Sequence, residues 1–96
     1  MLQKTFLKSK NAYKVKFIVK PEQATSVEIF GLNKDWENPI PMVKKKDGTF
    51  SVEVALPNDT KHEFKYRIDR NDWFIEEDAD GESPNGFGST NSILVL

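Results

Sequence analysis

The sequence of 96 residues contains no cysteine, and none of its apolar stretches approaches the ~20 residues that a membrane-spanning helix needs. Without cysteine there is no disulfide framework, so one hydrophobic core must stabilise the fold. The first residues also lack the continuous apolar stretch of a secretory signal. These absences favour a cytoplasmic location.

An excess of positive or negative charge is also missing. The formal net charge is −1 at pH 7, from 14 basic and 15 acidic residues. Binding to a phosphate backbone or to an anionic membrane requires a clear positive excess. We therefore expect neither a nucleic acid nor a membrane as a partner.

Groups that mark catalysis or metal binding are scarce as well. The single histidine, His62, has no serine or cysteine nucleophile in an elbow motif near it, and we interpret it as a strand-end residue. Acidic residues crowd positions 76–82, which would suit a calcium site. An EF-hand loop has its glycine at the sixth position, whereas Gly81 is the fourth residue of a loop that begins at Asp78. No pair of carboxylates stands out for glycoside hydrolysis. We expect no enzyme activity, no metal site and no cofactor.

Alternation of apolar and polar residues is the main structural signal, and it is typical of half-buried strands. No segment shows the spacing of an amphipathic helix. About seven short strands in under 100 residues predict an all-β, immunoglobulin-like antiparallel sandwich with little or no helix. We assign residues 1–12 to an N-terminal extension and 13–96 to the domain, with one long irregular stretch at 78–90. The predicted strands are 13–20, 27–31, 42–45, 50–56, 62–68, 73–75 and 93–96.

The two tryptophans lie at junctions between turns and strands. Trp36 follows a turn-rich segment, and Trp73 opens a strand directly after a polar turn. One interpretation is that they present flat apolar faces to a ligand such as a sugar while keeping the indole N–H available as a donor. The other is that both fill the core, as tryptophan does in many sandwiches. The pattern alone leaves both open.

A series of short motifs spread over the chain from about Tyr13 to Leu96 is similar to a known family. The resemblance is to the isoamylase early-set domain, the starch- and glycogen-binding module found ahead of isoamylases and glycogen-branching enzymes and in the β subunit of AMP-activated protein kinase. It implies an early-set, immunoglobulin-like sandwich. The motifs include Val27-Glu28-Ile29-Phe30-Gly31, Asp35-Trp36, Asp47-Gly48-Thr49-Phe50, Phe64-Lys65-Tyr66, Trp73 and Asn85-Gly86-Phe87-Gly88-Ser89-Thr90-Asn91.

The resemblance also implies a function, that of a non-catalytic module that binds α-1,4-glucan such as glycogen, starch or maltooligosaccharides. By the same resemblance, the sugar contacts would come from Trp36, Lys65, Trp73, Phe87 and Asn91. The strand alternation independently places Lys65 on the face opposite Phe64 and Tyr66, where its ammonium would point outward.

An alternative function keeps the same fold. An early-set domain that has lost glucan binding could use a sheet edge or the loop around Phe87 to dock a partner protein, such as a glucan-metabolising enzyme. Binding to sugar would distinguish the two functions.

Overall fold

The computed structural model describes residues 1–86 and 88–96, which form ten strands in two antiparallel sheets. This confirms the predicted all-β, immunoglobulin-like sandwich, with more strands than expected. The helical elements of the described residues are two single 3-10 turns, Lys8–Lys10 and Leu32–Lys34. None of the described helices is long and apolar enough to cross a membrane. The strands are β1 (Leu2–Leu7), β2 (Ala12–Val19), β3 (Val27–Phe30), β4 (Ile40–Pro41), β5 (Val43–Lys44), β6 (Phe50–Pro57), β7 (Lys61–Ile68), β8 (Asp72–Phe74), β9 (Gly81–Pro84) and β10 (Thr90–Val95).

One sheet has four strands in the order β1-β2-β6-β5, and the other follows the order β4-β3-β7-β10-β9. Strand β7 organises the larger sheet. Its first half, residues 61–64, pairs with β10, while residues 65–68 pair with β3 and residues 66–68 also pair with β8. Elements distant in sequence therefore meet along this one strand.

The hydrophobic core lies between the two sheets. The rings of Phe17 on β2 and Phe64 on β7 pack edge to face, with ring centroids 5.4 Å apart and an interplanar angle of 74°. Both residues belong to the alternating patterns of the sequence, which correctly separate the core face of these strands from the outer face. Fully buried apolar side chains are Val15, Phe17, Val27, Ile29, Phe50, Leu56, Phe64, Tyr66 and Leu94.

A buried carboxylate ties the segment after β8 to the core. Glu76 accepts hydrogen bonds from the Tyr66 hydroxyl at 2.8 Å and from the Asp78 N–H at 2.9 Å, and the amino group of Met1 lies 2.9 Å away. Burial by itself raises the pKa of Glu76, but these hydrogen bonds outweigh it and hold the pKa below its usual range. The N–H of Glu76 donates to the hydroxyl of Ser92 at 2.7 Å.

Three strands of the structure, β1, β4 and β9, have no counterpart among the predicted strands. β1 pairs along its length with β2, from Leu2 opposite Phe17 to Leu7 opposite Ala12, although the residues of β1 do not alternate. The boundary between an extension at 1–12 and a domain at 13–96 stays a prediction. The expectation that 78–90 is irregular throughout is wrong, because β9 lies within this segment and pairs with β10. β9 contains no large apolar residue that would have indicated a strand.

The predicted strand at 42–45 is shorter in the structure, where β5 covers Val43–Lys44, and a separate short strand, β4, precedes it at Ile40–Pro41. β4 pairs with β3 in the larger sheet, and β5 pairs with β6 in the smaller one. Met42, buried between them, marks the point where the chain crosses the sandwich. The turn that follows has Gly48 at φ 88°, the positive value expected for glycine in this hairpin.

Candidate functional site

The candidate site lies on the outer face of the larger sheet, on the side of β7 opposite the core. His62, Phe64 and Tyr66 face inward, so the alternation turns Lys65 and Arg67 outward. Strand pairing then adds neighbours from other elements.

These neighbours come from β3 and β8. Phe30 of β3 is paired with Lys65, and Trp73 of β8 is paired with Arg67. The outward placement of Lys65 follows the prediction, but the residue is only 7% exposed because its neighbours surround it.

The first tryptophan is held by a tight turn after β3. Gly31 has a φ of 100°, and two residues of the same turn, Asn33 and Lys34, also have positive φ values. The indole of Trp36 folds back over Gly31, and a Cβ atom at Gly31 would lie 2.6 Å from its Cζ2 atom. Leu32 is buried in the core and anchors the turn.

Side-chain hydrogen bonds fix the residues on both sides of Trp36. The Asp35 carboxylate accepts from the N–H of Asn38 at 2.9 Å and from the N–H of Glu37 at 3.1 Å. Hydrogen bonding, led by the Asn38 N–H, holds the pKa of Asp35 below its usual value. An aspartate that bonds to the backbone two and three residues later is a common way to stabilise a turn.

His62 supports the same turn from below. Its Nδ1 atom accepts a hydrogen bond from the Asn33 N–H at 3.1 Å, while its Nε2 atom lies 2.8 Å from the Thr60 hydroxyl. That hydroxyl donates to the carbonyl of Pro57, so it accepts from Nε2–H, and His62 is neutral. Burial lowers the pKa of His62 by penalising the charged form. No pattern in the sequence indicates this contact with Asn33.

The second tryptophan stands at the other end of the site. Trp73 is 46% exposed and packs on Phe30, with ring centroids 4.9 Å apart. The guanidinium of Arg67 lies 5.5 Å from the centre of the Trp73 ring. One side of the indole is therefore in contact with protein.

Polar side chains fill the space between the tryptophans. The ammonium of Lys65 donates to the Ser89 hydroxyl at 2.7 Å. Asn91 is buried. Its side-chain oxygen accepts a hydrogen bond from the side-chain amide of Asn85 at 3.5 Å, and its own amide nitrogen donates to the Glu63 carboxylate at 3.5 Å. The N–H of Asn85 donates to the carbonyl of Ser89 at 3.1 Å, which brings the ends of this loop together.

The two tryptophans and four of the polar side chains between them border one open cleft of about 730 Å³. It brings together four of the five predicted site residues, and the fifth, Phe87, lies outside the described residues. Asn85 and Ser89 were not predicted, although they flank the same glycine-rich segment and could have been found there. The role of each residue in binding stays a prediction. The cleft is lined by Trp36, Lys65, Trp73, Asn85, Ser89 and Asn91.

Within residues 1–86 and 88–96, no group of three or more histidine, cysteine or acidic side chains could hold a metal ion. The cleft instead combines two flat apolar surfaces with an ammonium, side-chain amides and a hydroxyl. This combination suits a ligand that has apolar faces and a hydroxylated edge.

Comparison with known proteins first defines the fold class. The structure is similar to the ferric enterobactin esterase from Salmonella typhimurium, with a TM-score of 0.76 and 12% identity over 99% of this chain. The similarity spans 34% of the esterase, so this chain corresponds to about a third of that protein. At this identity the likeness concerns the fold alone. Comparison with curated proteins finds no significant match.

The sequence then defines the family. Residues 17–96 match the family described as the glycogen recognition site of AMP-activated protein kinase. The chain belongs to this family, which agrees with the resemblance seen in its motifs.

Proposed function

We propose that this domain is a non-catalytic module that binds α-1,4-glucan, such as glycogen, starch or maltooligosaccharides, in the cleft between Trp36 and Trp73. The observation that carries the proposal is the exposure of both indoles, 41% and 46%, on the same cleft. Core tryptophans would be covered by neighbouring side chains. Family membership supports glucan as the ligand.

The chemistry of the cleft matches that of a glucose chain. One face of a glucose ring carries C–H groups that can stack on an indole, and the edge of the ring carries hydroxyls. An ammonium group has three donors, and Lys65 uses one of them on Ser89. In this proposal, the remaining donors and the amide of Asn91 bind sugar hydroxyls. A neutral polymer also needs no charge to attract it, which is consistent with the net charge of −1.

Affinity should be modest. An open cleft covers a smaller part of its ligand than a deep pocket does, and a flexible oligosaccharide loses conformational freedom on binding. Recognition of a long polymer would then depend on many equivalent segments along the chain.

A sugar titration tests the proposal. Maltoheptaose or β-cyclodextrin is added to ¹⁵N-labelled protein while tryptophan fluorescence and amide NMR spectra are recorded. We expect saturable changes at residues lining the cleft, and much weaker changes with cellohexaose, whose glucose units are β-linked. Unchanged spectra at millimolar maltoheptaose would overturn the proposal. Recovery of a partner protein irrespective of added sugar would then favour the docking alternative.

A further inference from the structure

Behind Trp73 lies a compact cluster of three side chains. The guanidinium carbon of Arg67 is 4.6 Å from the centre of the Phe30 ring and 5.5 Å from that of Trp73. The Phe30 and Trp73 ring centres are themselves 4.9 Å apart. These separations are nearly equal, so Phe30 and Arg67 contact the indole from the same side. The remaining surface of the indole lines the cleft.

The cation in this cluster has a partner. The Arg67 guanidinium donates from Nη2 to the Glu28 carboxylate at 2.9 Å and from Nε at 3.3 Å. Both side chains are mostly covered, with 26% and 18% of their surface exposed. Glu28 and Arg67 are also directly paired between β3 and β7. Two neighbouring strands therefore fix the guanidinium plane, and the planar group can stack on aromatic rings as a lysine cannot.

The strand that carries Trp73 is too short to hold the indole in one orientation by itself, so the indole depends on the contacts with Phe30 and Arg67. β8 has three residues and lies off the main path of the sheet, and within the described part of the chain it pairs with the end of β7 alone. An indole on so short a strand could adopt several rotamers, and ordering it on ligand binding would reduce affinity.

We propose that Arg67, held by Glu28 and stacked on Phe30, is a positioning residue that orders the Trp73 indole before the ligand arrives. This inference rests on the proposed glucan cleft but concerns a residue outside its lining. Arg67 acts through Trp73 and makes no sugar contact of its own. Removing it leaves the indole present but no longer fixed.

NMR of the free protein tests the positioning directly. The chain has two tryptophans and so gives two indole N–H signals, which Trp36→Phe assigns. In Arg67→Ala, we expect the Trp73 indole signal to shift while the Trp36 signal stays in place. Arg67→Lys keeps the charge but not the planar stacking group, so it should move the Trp73 signal in the same direction. The affinity for maltoheptaose should fall roughly three- to tenfold in both variants, as expected when one side chain must be ordered on binding.

A matched control is available on the opposite sheet. Lys14 and Glu53 form an exposed ion pair at 2.9 Å in the four-stranded sheet. Lys14→Ala removes an ion pair of the same length but should change neither the indole signals nor the affinity.

Each outcome separates the possibilities. An unchanged Trp73 signal in Arg67→Ala overturns the positioning role, and reduced affinity with that signal unchanged would show that Arg67 contacts the sugar itself. If the wild-type protein binds no maltoheptaose, the proposed function fails, while the Trp73 signal in the free protein still reports whether Arg67 orders the indole.

Discussion

Gly31 is covered by the indole of Trp36 so closely that the site has no room for a side chain there. A Cβ at Gly31 would lie 2.6 Å from Cζ2 of Trp36 and 2.8 Å from Cε2, and it would also clash with the carbonyl of Glu63. The glycine therefore determines where the first aromatic face of the cleft can lie. This contact explains why a glycine precedes the tryptophan by five residues in this chain.

Gly31→Ala should both destabilise the fold and displace Trp36. The new methyl group must push the indole away, at a cost of about 1–3 kcal/mol for overpacking, in addition to the ~1–2 kcal/mol for an alanine at positive φ. Gly48→Ala is the matched control, because Gly48 has a φ of 88° and nothing within 4 Å of its Cβ position. Urea unfolding should show a larger loss for Gly31→Ala, and only that variant should change the Trp36 indole signal. Equal losses would contradict the close packing.

Replacement of either tryptophan by alanine should weaken glucan binding without unfolding the protein. Trp36→Ala and Trp73→Ala each remove one exposed stacking surface, so we expect at least a tenfold loss of affinity for maltoheptaose, on the order of 1.4 kcal/mol or more. Phe6→Ala serves as the control, because Phe6 is a similarly exposed aromatic residue, at 46%, on the other sheet. Isothermal titration calorimetry and thermal unfolding measure the two effects. A collapse of thermal stability in Trp36→Ala would show that Trp36 supports the core instead.

The sequence predicts the core of this fold better than its edges. Val15, Phe17 and Phe64 lie in strands buried on one face only, so the alternation of side chains reveals them directly. β9 has no large apolar side chain to bury, and it forms by pairing with β10. Edge strands of this kind depend on a partner that no local pattern contains.

The site could be predicted as a set of residues but not as a geometry. The family motifs pointed to Trp36 and Trp73, yet their common cleft results from pairing β7 with both β3 and β8. The bond between Lys65 and Ser89 joins residues 24 positions apart. The contact of His62 with Asn33 likewise depends on two segments that only the folded sheet brings together.

Stability should decrease on mild acidification because of His62. Burial holds its pKa in the folded protein below the usual 6.5, so the unfolded chain takes up a proton at a higher pH than the folded one. The free energy of unfolding should therefore fall as the pH drops below about 6.5, and this contribution should level off below the folded pKa. Since His62 is the single histidine, His62→Gln removes it completely.

Urea unfolding of both proteins between about pH 5 and pH 8 measures the difference. The wild-type curve should slope more steeply than that of His62→Gln below about pH 6.5. Parallel curves would show that the imidazole is not held neutral by the fold.

Glu76 should contribute stability near neutral pH that disappears in acid. Its folded pKa lies below the usual 4.5, so its ionised form stabilises the native state above that value, and the contribution is lost as the pH falls through the folded pKa. Glu76→Gln cannot reproduce all the charge-assisted bonds, and we expect a loss of about 1–3 kcal/mol at pH 7. Thermal or urea unfolding should show this difference shrinking below about pH 4.5.

Glu77→Gln provides the control for this prediction, because Glu77 is the exposed neighbour of the same charge. It should change stability by no more than about 0.5 kcal/mol. A similar loss in both variants would indicate a general effect of net charge and not the buried hydrogen bonds of Glu76.

Strand β7 links ligand binding to folding. Its inward side chains, such as Phe64 and Tyr66, belong to the core, and its outward side chains, such as Lys65 and Arg67, belong to the cleft or support it. The cleft therefore exists only while the central strand of the larger sheet is paired. A ligand in it binds the native state but not the unfolded chain, so glucan would raise the melting temperature in proportion to the logarithm of its concentration above Kd. In a cell, the abundance of the polysaccharide would then affect how long each copy of the domain survives proteolysis.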